Sequence, residues 1–241
     1  MKLFIKIILI TTLNSSCLVK NNIVKVEYDY LEVKSHPDPS IDSLINKYKL
    51  GLDSVMSEVI TYAGVDMLKA KPESVIGNFM TDLCLNYYDS IADFCVLNNG
   101  GIRSDLYAGN ITKGMIYQLM PFDNQMVILY LNYQELNKLF AYISSRNGEP
   151  FSGFYLSIDS LNQYTYKFEK QISNKDSLYA LLTTDYLANG GDNMWFLDGE
   201  SKTFQNGLRQ DLNMKLRDLI LYHCQKSDTI YSQIDNRILY E

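Results

Sequence analysis

The sequence predicts an α/β domain in which helices and strands alternate and pack in layers around one core. Three observations predict it. Apolar residues recur at helical spacing in several separated stretches. Between them stand continuous apolar runs, Phe94–Leu97, Met126–Leu131 and Leu178–Leu182, that read as buried strands. Two of these runs lead into glycine loops, one at Asn98–Gly101 and one at Asn189–Asp192. A chain of 241 residues with 46% hydrophobic and 21% charged residues can bury a sizeable core and is most simply one domain. Its net charge of -6 and pI near 5.0 count against nucleic acid as the main partner, because phosphate binding needs clustered Lys and Arg.

Residues 1–16 read as a secretory signal. Lys2 and Lys6 form a positive start, and Ile7 to Leu13 form an apolar segment far shorter than a membrane span. Leu13-Asn14-Ser15-Ser16-Cys17 places small residues before a cysteine and resembles a bacterial lipoprotein cleavage box, with Cys17 as the lipidated residue. Asn14 stands where an aliphatic residue is usual, so an ordinary secreted protein with an incidental cysteine is the alternative. The expectation is a lipid-anchored protein of a bacterial cell envelope, periplasmic or on the surface, held to the membrane by lipid alone. Cys84, Cys95 and Cys224 match no zinc spacing and sit in apolar patterns that favour buried free thiols; an oxidising compartment would permit one disulfide.

Residues 17–37 form a polar lead with an alternating pattern around Val24, Val26 and Tyr28, and the domain proper is expected over 38–241. After Pro39-Ser40, the residues Ile41, Leu44, Ile45, Tyr48, Leu52, Val55, Met56 and Val59 predict an amphipathic helix whose stripe packs on the core. Pro72-Glu73-Ser74 opens a second helix with Ile76, Phe79, Met80, Leu83 and Leu85. Thr112 caps a short helix that ends before Pro121. Asn132 caps another, with Leu136, Leu139, Phe140 and Ile143 on one face, broken by Gly148 and Pro150. Phe154, Leu156 and Ile158 alternate as a strand does, and so do Tyr164, Tyr166 and Phe168. Leu208, Leu212, Leu216, Leu219 and Ile220 predict a last helix, followed by a polar tail from Gln225.

Three separated segments carry a resemblance. They are Pro72-Glu73-Ser74-Val75-Ile76-Gly77-Asn78, then Asn98-Asn99-Gly100-Gly101-Ile102-Arg103 with Met120-Pro121-Phe122, then Tyr186-Leu187-Ala188-Asn189-Gly190-Gly191-Asp192. In this order and spacing, across about 38–220, the chain resembles the C-terminal domain of the 5'-nucleotidase family, which includes UDP-sugar hydrolases and ecto-5'-nucleotidases. The resemblance implies a four-layer α/β/β/α unit with mixed sheets that binds the nucleoside part of a substrate. A separate calcineurin-like domain in that family holds two metal ions and hydrolyses the ester.

By the same resemblance, Phe122 and Tyr186 stack on the base, Asn98 hydrogen-bonds it, Arg103 lies near ribose and phosphate, and Asp192 accepts from ribose hydroxyls. Gly101 and Gly191 keep backbone close to the ligand. Read alone, each residue has a plainer role: core for Phe122, surface for Tyr186, a cap of its own turn for Asn98, a surface ion pair for Arg103, a turn former for Asp192. Two departures stand out. Pro72 replaces an arginine of the family, with Lys71 beside it, and Asp123 follows Phe122, adding negative charge near a site for an anion. The metal motifs of the hydrolytic domain are absent from this chain, which has two histidines, His36 and His223, far apart. No metal or other cofactor is expected in this chain, and it is not expected to hydrolyse phosphate esters alone. Divalent metals would sit in a separate metallophosphatase chain, its expected partner; the alternative is a non-enzymatic nucleoside-binding or structural envelope lipoprotein.

Overall fold

The computed structural model describes residues 38–161, 163–170, 172, 178–197 and 209–241. The leader, Cys17, the lead with its pattern around Val24–Tyr28, His36 and Leu208 lie outside the described residues. The chain divides into two compact units, Met1–Leu44 and Ile45–Glu241, and the sheets and cores below belong to the second.

Helix α1 (Pro39–Met56) has the expected length, but none of its residues is buried. Ile41, Leu44, Ile45, Tyr48, Leu52 and Val55 are all exposed, so the expectation that this stripe packs on the core is corrected. Periodicity shows that a helix has an apolar face; it does not say what covers that face. Val59, expected at the helix end, instead opens strand β1 (Val59–Ala63).

The order continues with α2 (Val75–Tyr87), β2 (Phe94–Val96), β3 (Gly109–Thr112), α3 (Lys113–Leu119), β4 (Gln125–Leu131), α4 (Tyr133–Ser145), β5 (Phe151–Ser152), β6 (Phe154–Ile158) and β7 (Tyr164–Phe168). It ends with β8 (Tyr179–Thr184), the single turn α5 (Asp185–Ala188), β9 (Arg209–Lys215), α6 (Leu216–Lys226), β10 (Thr229–Ile230) and β11 (Ile238–Tyr240). Helix starts follow side-chain chemistry. Ser74 Oγ accepts from Gly77 N at 3.0 Å, and Thr112 Oγ1 accepts from Met115 N at 3.3 Å. Asn132 Oδ1 accepts from Gln134 and Glu135 N, while the Glu135 carboxylate accepts from Asn132 N, a complete capping box.

A five-stranded sheet, ordered β5-β2-β8-β4-β9, forms the centre. It is mixed: β2 and β8 run parallel, and the other neighbours run antiparallel. Successive strand residues point to opposite faces, and the two hydrophobic clusters divide by that rule. Cys95, Met126, Ile128, Ala180 and Leu182 join the cluster that holds α2 and α6. Phe94, Val96, Val127, Leu129 and Leu181 join the cluster with α4 and the sheet β11-β6-β7. Both faces of its three inner strands, β2, β8 and β4, are buried, which is why these strands read as unbroken apolar runs in the sequence. The α/β class with mixed sheets is therefore as expected. Cys84, Cys95 and Cys224 are buried free thiols, and burial pushes the Cys224 thiol up to about 12.

The expected last helix is half strand. Residues 209–215 pair antiparallel with β4 as an edge strand, and the helix begins only at Leu216. The spacing from Leu212 to Ile220 fits a helix locally, but the open edge of β4 gives residues 209–215 a ladder of backbone hydrogen bonds that a local pattern does not reveal. The polar tail is likewise built in: β10 pairs with β1 and β11 with β6.

Candidate functional site

Strand β2 delivers the chain into the first glycine loop. Asn99–Gly101 forms a short 3₁₀ turn, anchored from beneath by buried Leu97 and Ile102. The Asn98 side chain does not cap this turn. It swings across the loop, and its Nδ2 donates to Asp192 Oδ2 at 2.5 Å. Gly101 makes that possible, since a Cβ there would stand 2.8 Å from Asn98 Oδ1.

Strand β8 delivers the second loop. Thr184 caps α5, and the chain then passes through Gly190 at φ 85° into Asp192 and Asn193 at φ 52° and 67°. Asp and Asn tolerate this left-handed region better than other residues with a side chain. Gly191 is fixed by contact: a Cβ would lie 2.5 Å from the Tyr186 carbonyl and 2.6 Å from its ring. The ring of Tyr186 therefore folds back over the turn, and its hydroxyl donates to Asp192 Oδ1 at 2.8 Å while accepting from Asp192 N at 3.2 Å. That bond to the carboxylate, reinforced by burial, raises the Tyr186 pKa. Tyr142 of α4 completes the hold by donating to the Asp192 carbonyl at 2.7 Å.

These residues converge. Asn98, Gly100, Gly101, Arg103, Phe122, Asn124, Tyr186 and Asp192 line one cavity of about 260 Å³. The two rings are 40% and 43% exposed, so neither is core. Arg103 lies over the Phe122 ring, 5.8 Å from its centroid, and also reaches the Gly100 carbonyl at 3.4 Å. Of the residues singled out from sequence, six line this cavity; Gly191 lies beside it, on an open surface with Asn189, Gly190, Asn193 and Trp195.

Arg103 and Gly100 also border a wider, open basin of about 520 Å³ with Lys69, Lys71, Asn99, Ser104 and Asp105. Lys69, Lys71 and Arg103 border it with Asp105, and the Lys69 ammonium donates to the Ile102 carbonyl at 2.8 Å. The ammonium of Lys71 is held by the carbonyls of Arg146 and Gly148 at 2.5 and 2.7 Å and faces Glu149 at 3.4 Å. It stands beside Pro72 but is committed to the turn after α4.

Several supporting residues gave no signal in the sequence. Arg217 of α6 holds the turn that bears Phe122 by donating to the carbonyls of Met120 and Phe122 at 3.4 and 3.2 Å, and it pairs with Asp123. Lys215 also pairs with Asp123, at 3.2 Å. Hydrogen bonds from Lys215 and Arg217 lower the Asp123 pKa. The added negative charge therefore has two cations of its own, and Asp123 is not among the cavity's lining residues. Asp185 links the two ring-bearing arms by accepting from Gln125 N at 3.0 Å and Tyr186 N at 2.8 Å. Buried Glu149 accepts from Asn99 N at 2.7 Å and fixes the first loop from behind.

Among the described residues, no three His, Cys, Asp or Glu side chains are grouped to hold a metal ion. His223 packs edge-on against Phe79 with centroids 5.8 Å apart, and burial pushes its pKa down.

Fold and cavity define the class: a mixed-sheet α/β domain with a ligand-sized cavity built from two loops at the strand ends. The chain belongs to the 5'-nucleotidase C-terminal domain family, whose sequence profile matches residues 58–198. It is similar to the 5'-nucleotidase of Homo sapiens, with 23% identity over 239 residues, covering 83% of this chain and 40% of that protein. A 141-residue stretch is 30% identical to Endonuclease YhcR of Bacillus subtilis, covering 57% of this chain and 11% of that one. In fold, it resembles the crystal structure of the 5'-nucleotidase precursor from Thermus thermophilus, with a TM-score of 0.70 at 22% identity, over 83% of this chain and 42% of the other. The chain thus spans less than half the length of these relatives.

Proposed function

We propose that this domain binds a nucleoside or nucleotide and serves as the specificity part of a split 5'-nucleotidase. In this reading the base lies between Phe122 and Tyr186, Asn98 meets its polar edge, Asp192 faces the sugar, and Arg103 directs the phosphate toward the open basin beside it. Gly101 and Gly191 keep the two loops slender around the ligand. The observation that carries the reading is the pair of half-exposed rings on one cavity whose other walls supply a carboxylate, an amide and a guanidinium. Aromatic stacking holds any base by its π-face, and each stack contributes about 1–3 kcal/mol. Polar groups then fix orientation.

Phosphoester hydrolysis would come from a separate metallophosphatase chain that brings its own divalent metals. One observation supports this division: the apolar stripe of α1 is exposed, as surfaces that meet another protein are. Relatives about twice as long carry nucleotidase names, which supports the nucleotide link. A cell-envelope setting, with Cys17 as a lipid anchor, completes the proposal; among the relatives is the cell wall protein Lmo0130 of Listeria monocytogenes.

Titrating adenosine into the purified chain by calorimetry should give saturable one-site binding. Absence of binding at millimolar concentration sinks the nucleoside reading. AMP hydrolysis with a divalent metal should be undetectable for this chain alone and should appear or rise when a metallophosphatase chain lacking this domain is added. Activity of the purified chain alone contradicts the division of labour, and binding without any gain on mixing leaves nucleoside capture as the function.

A further inference from the structure

We infer that the Tyr186 hydroxyl is a specificity-determining group, which makes the cavity tolerant of sugars that lack one hydroxyl. The inference rests on the nucleoside reading above, in which Asp192 faces the sugar. A carboxylate that recognises a vicinal diol discriminates because its acceptor atoms are left unpaired when a hydroxyl is missing. In this protein the carboxylate is not left waiting. Asp192 Oδ1 already accepts from the Tyr186 hydroxyl at 2.8 Å, and Oδ2 accepts from Asn98 Nδ2 at 2.5 Å. The arrangement is fixed at both ends of the residue. The Asp192 amide donates back to the Tyr186 oxygen, and its carbonyl is held by Tyr142.

Each carboxylate oxygen can accept more than one hydrogen bond, so a sugar can still donate to either. What changes is the cost of its failing to do so. When the ligand brings both hydroxyls, it adds bonds to a carboxylate whose charge is already shared by two donors. When one hydroxyl is missing, the internal donor remains and no acceptor is orphaned. Ribose and 2'-deoxyribose forms are then held with similar strength. The ring itself stays on the cavity in either case, so the hydroxyl affects sugar choice while stacking is unchanged. Removing the hydroxyl alone should convert Asp192 into a carboxylate with an open acceptor, and a complete diol should then be preferred.

The test compares adenosine with 2'-deoxyadenosine by calorimetric titration, using the wild-type chain and Tyr186→Phe. The wild type should bind the two with dissociation constants within about threefold. Tyr186→Phe, which keeps the ring, should favour adenosine over the deoxy form by about tenfold or more, the size expected for one hydrogen bond to a charged group. The wild-type ratio needs no variant to interpret it: a tenfold ribose preference there overturns the inference. So does the same ratio in both proteins, which leaves the nucleoside reading standing. Failure of both nucleosides to bind either protein overturns the nucleoside reading and this inference with it.

Discussion

Arg237→Ala should destabilise the domain by about 1.5–3 kcal/mol, the range for hydrogen bonds to charged groups. The guanidinium is buried, while its partners Asp82 and Asp235 are 40% and 33% exposed and can be solvated once it is gone. The Arg237 side chain is only 5% exposed. It binds Asp82 with both terminal nitrogens, at 2.8 and 3.1 Å, Asp235 at 2.8 and 2.6 Å, and the Phe151 carbonyl at 2.8 Å. Glu73, 7% exposed, stands 3.9 Å away and accepts from Asn78 Nδ2 and Asp235 N. Alanine would leave these carboxylates facing one another without a cation. It would also release the tail just before β11, which is tied to β6, and loosen the approach to α2. The pH dependence follows from Asp235. Burial raises its carboxyl pKa, but the bonds to Arg237 outweigh burial and hold it below the ordinary value. A depressed carboxylate pKa contributes stability above its unfolded value, about 3.9 for Asp, and loses it as pH falls through the folded value. Urea unfolding should therefore show the full difference between wild type and variant at pH 7 and a smaller one below about pH 4. A difference under about 1 kcal/mol at pH 7 would mean that the cluster does not hold the tail.

Phe122→Ala should weaken adenosine binding by about 5- to 150-fold, the equivalent of about 1–3 kcal/mol for one stack, with little change in stability. The two effects separate because the Phe122 turn is held through its main chain. Arg217 grips the carbonyls of Met120 and Phe122 and the side chain of Asp123. None of these contacts is lost when the ring is removed. The ring is 40% exposed, so its loss opens no core cavity, and stability should fall by less than about 1 kcal/mol. Calorimetry for binding and thermal unfolding for stability check both halves. Unchanged affinity would remove Phe122 from the base site. Lost affinity with a large drop in stability would instead make it a structural residue.

Much of this molecule is legible in its sequence where local chemistry decides the outcome. Ser74, Thr112 and Asn132 cap helices at the starts their positions announce, because a side-chain acceptor there acts within three residues. The runs at 94–97, 126–131 and 178–182 become the three inner strands because both faces of the central sheet are covered. Six of the seven candidate site residues, drawn from segments far apart in the chain, line one cavity. What the sequence leaves hidden is non-local. Leu212 and Leu216 fit a helix until the edge of β4 claims residues 209–215. The stripe on α1 declares a face without naming its cover. Arg217 reaches Asp123 across 94 residues, and Asn98 reaches Asp192 across the same separation. No pattern along the chain announces such pairs. The charge of Asp123 looks adverse to an anion site only because its partners at 215 and 217 are distant in sequence. Likewise, the glycines at 101 and 191 prove to accommodate the side chains of Asn98 and Tyr186.

Placement of the base between the rings of Phe122 and Tyr186 is tested most directly by NMR on the adenosine complex with the aromatic residues selectively labelled. Intermolecular NOEs from the adenine protons to the ring protons of both Phe122 and Tyr186 are the expected result. Saturable binding with NOEs to neither ring, or to rings elsewhere such as Trp195, would contradict it.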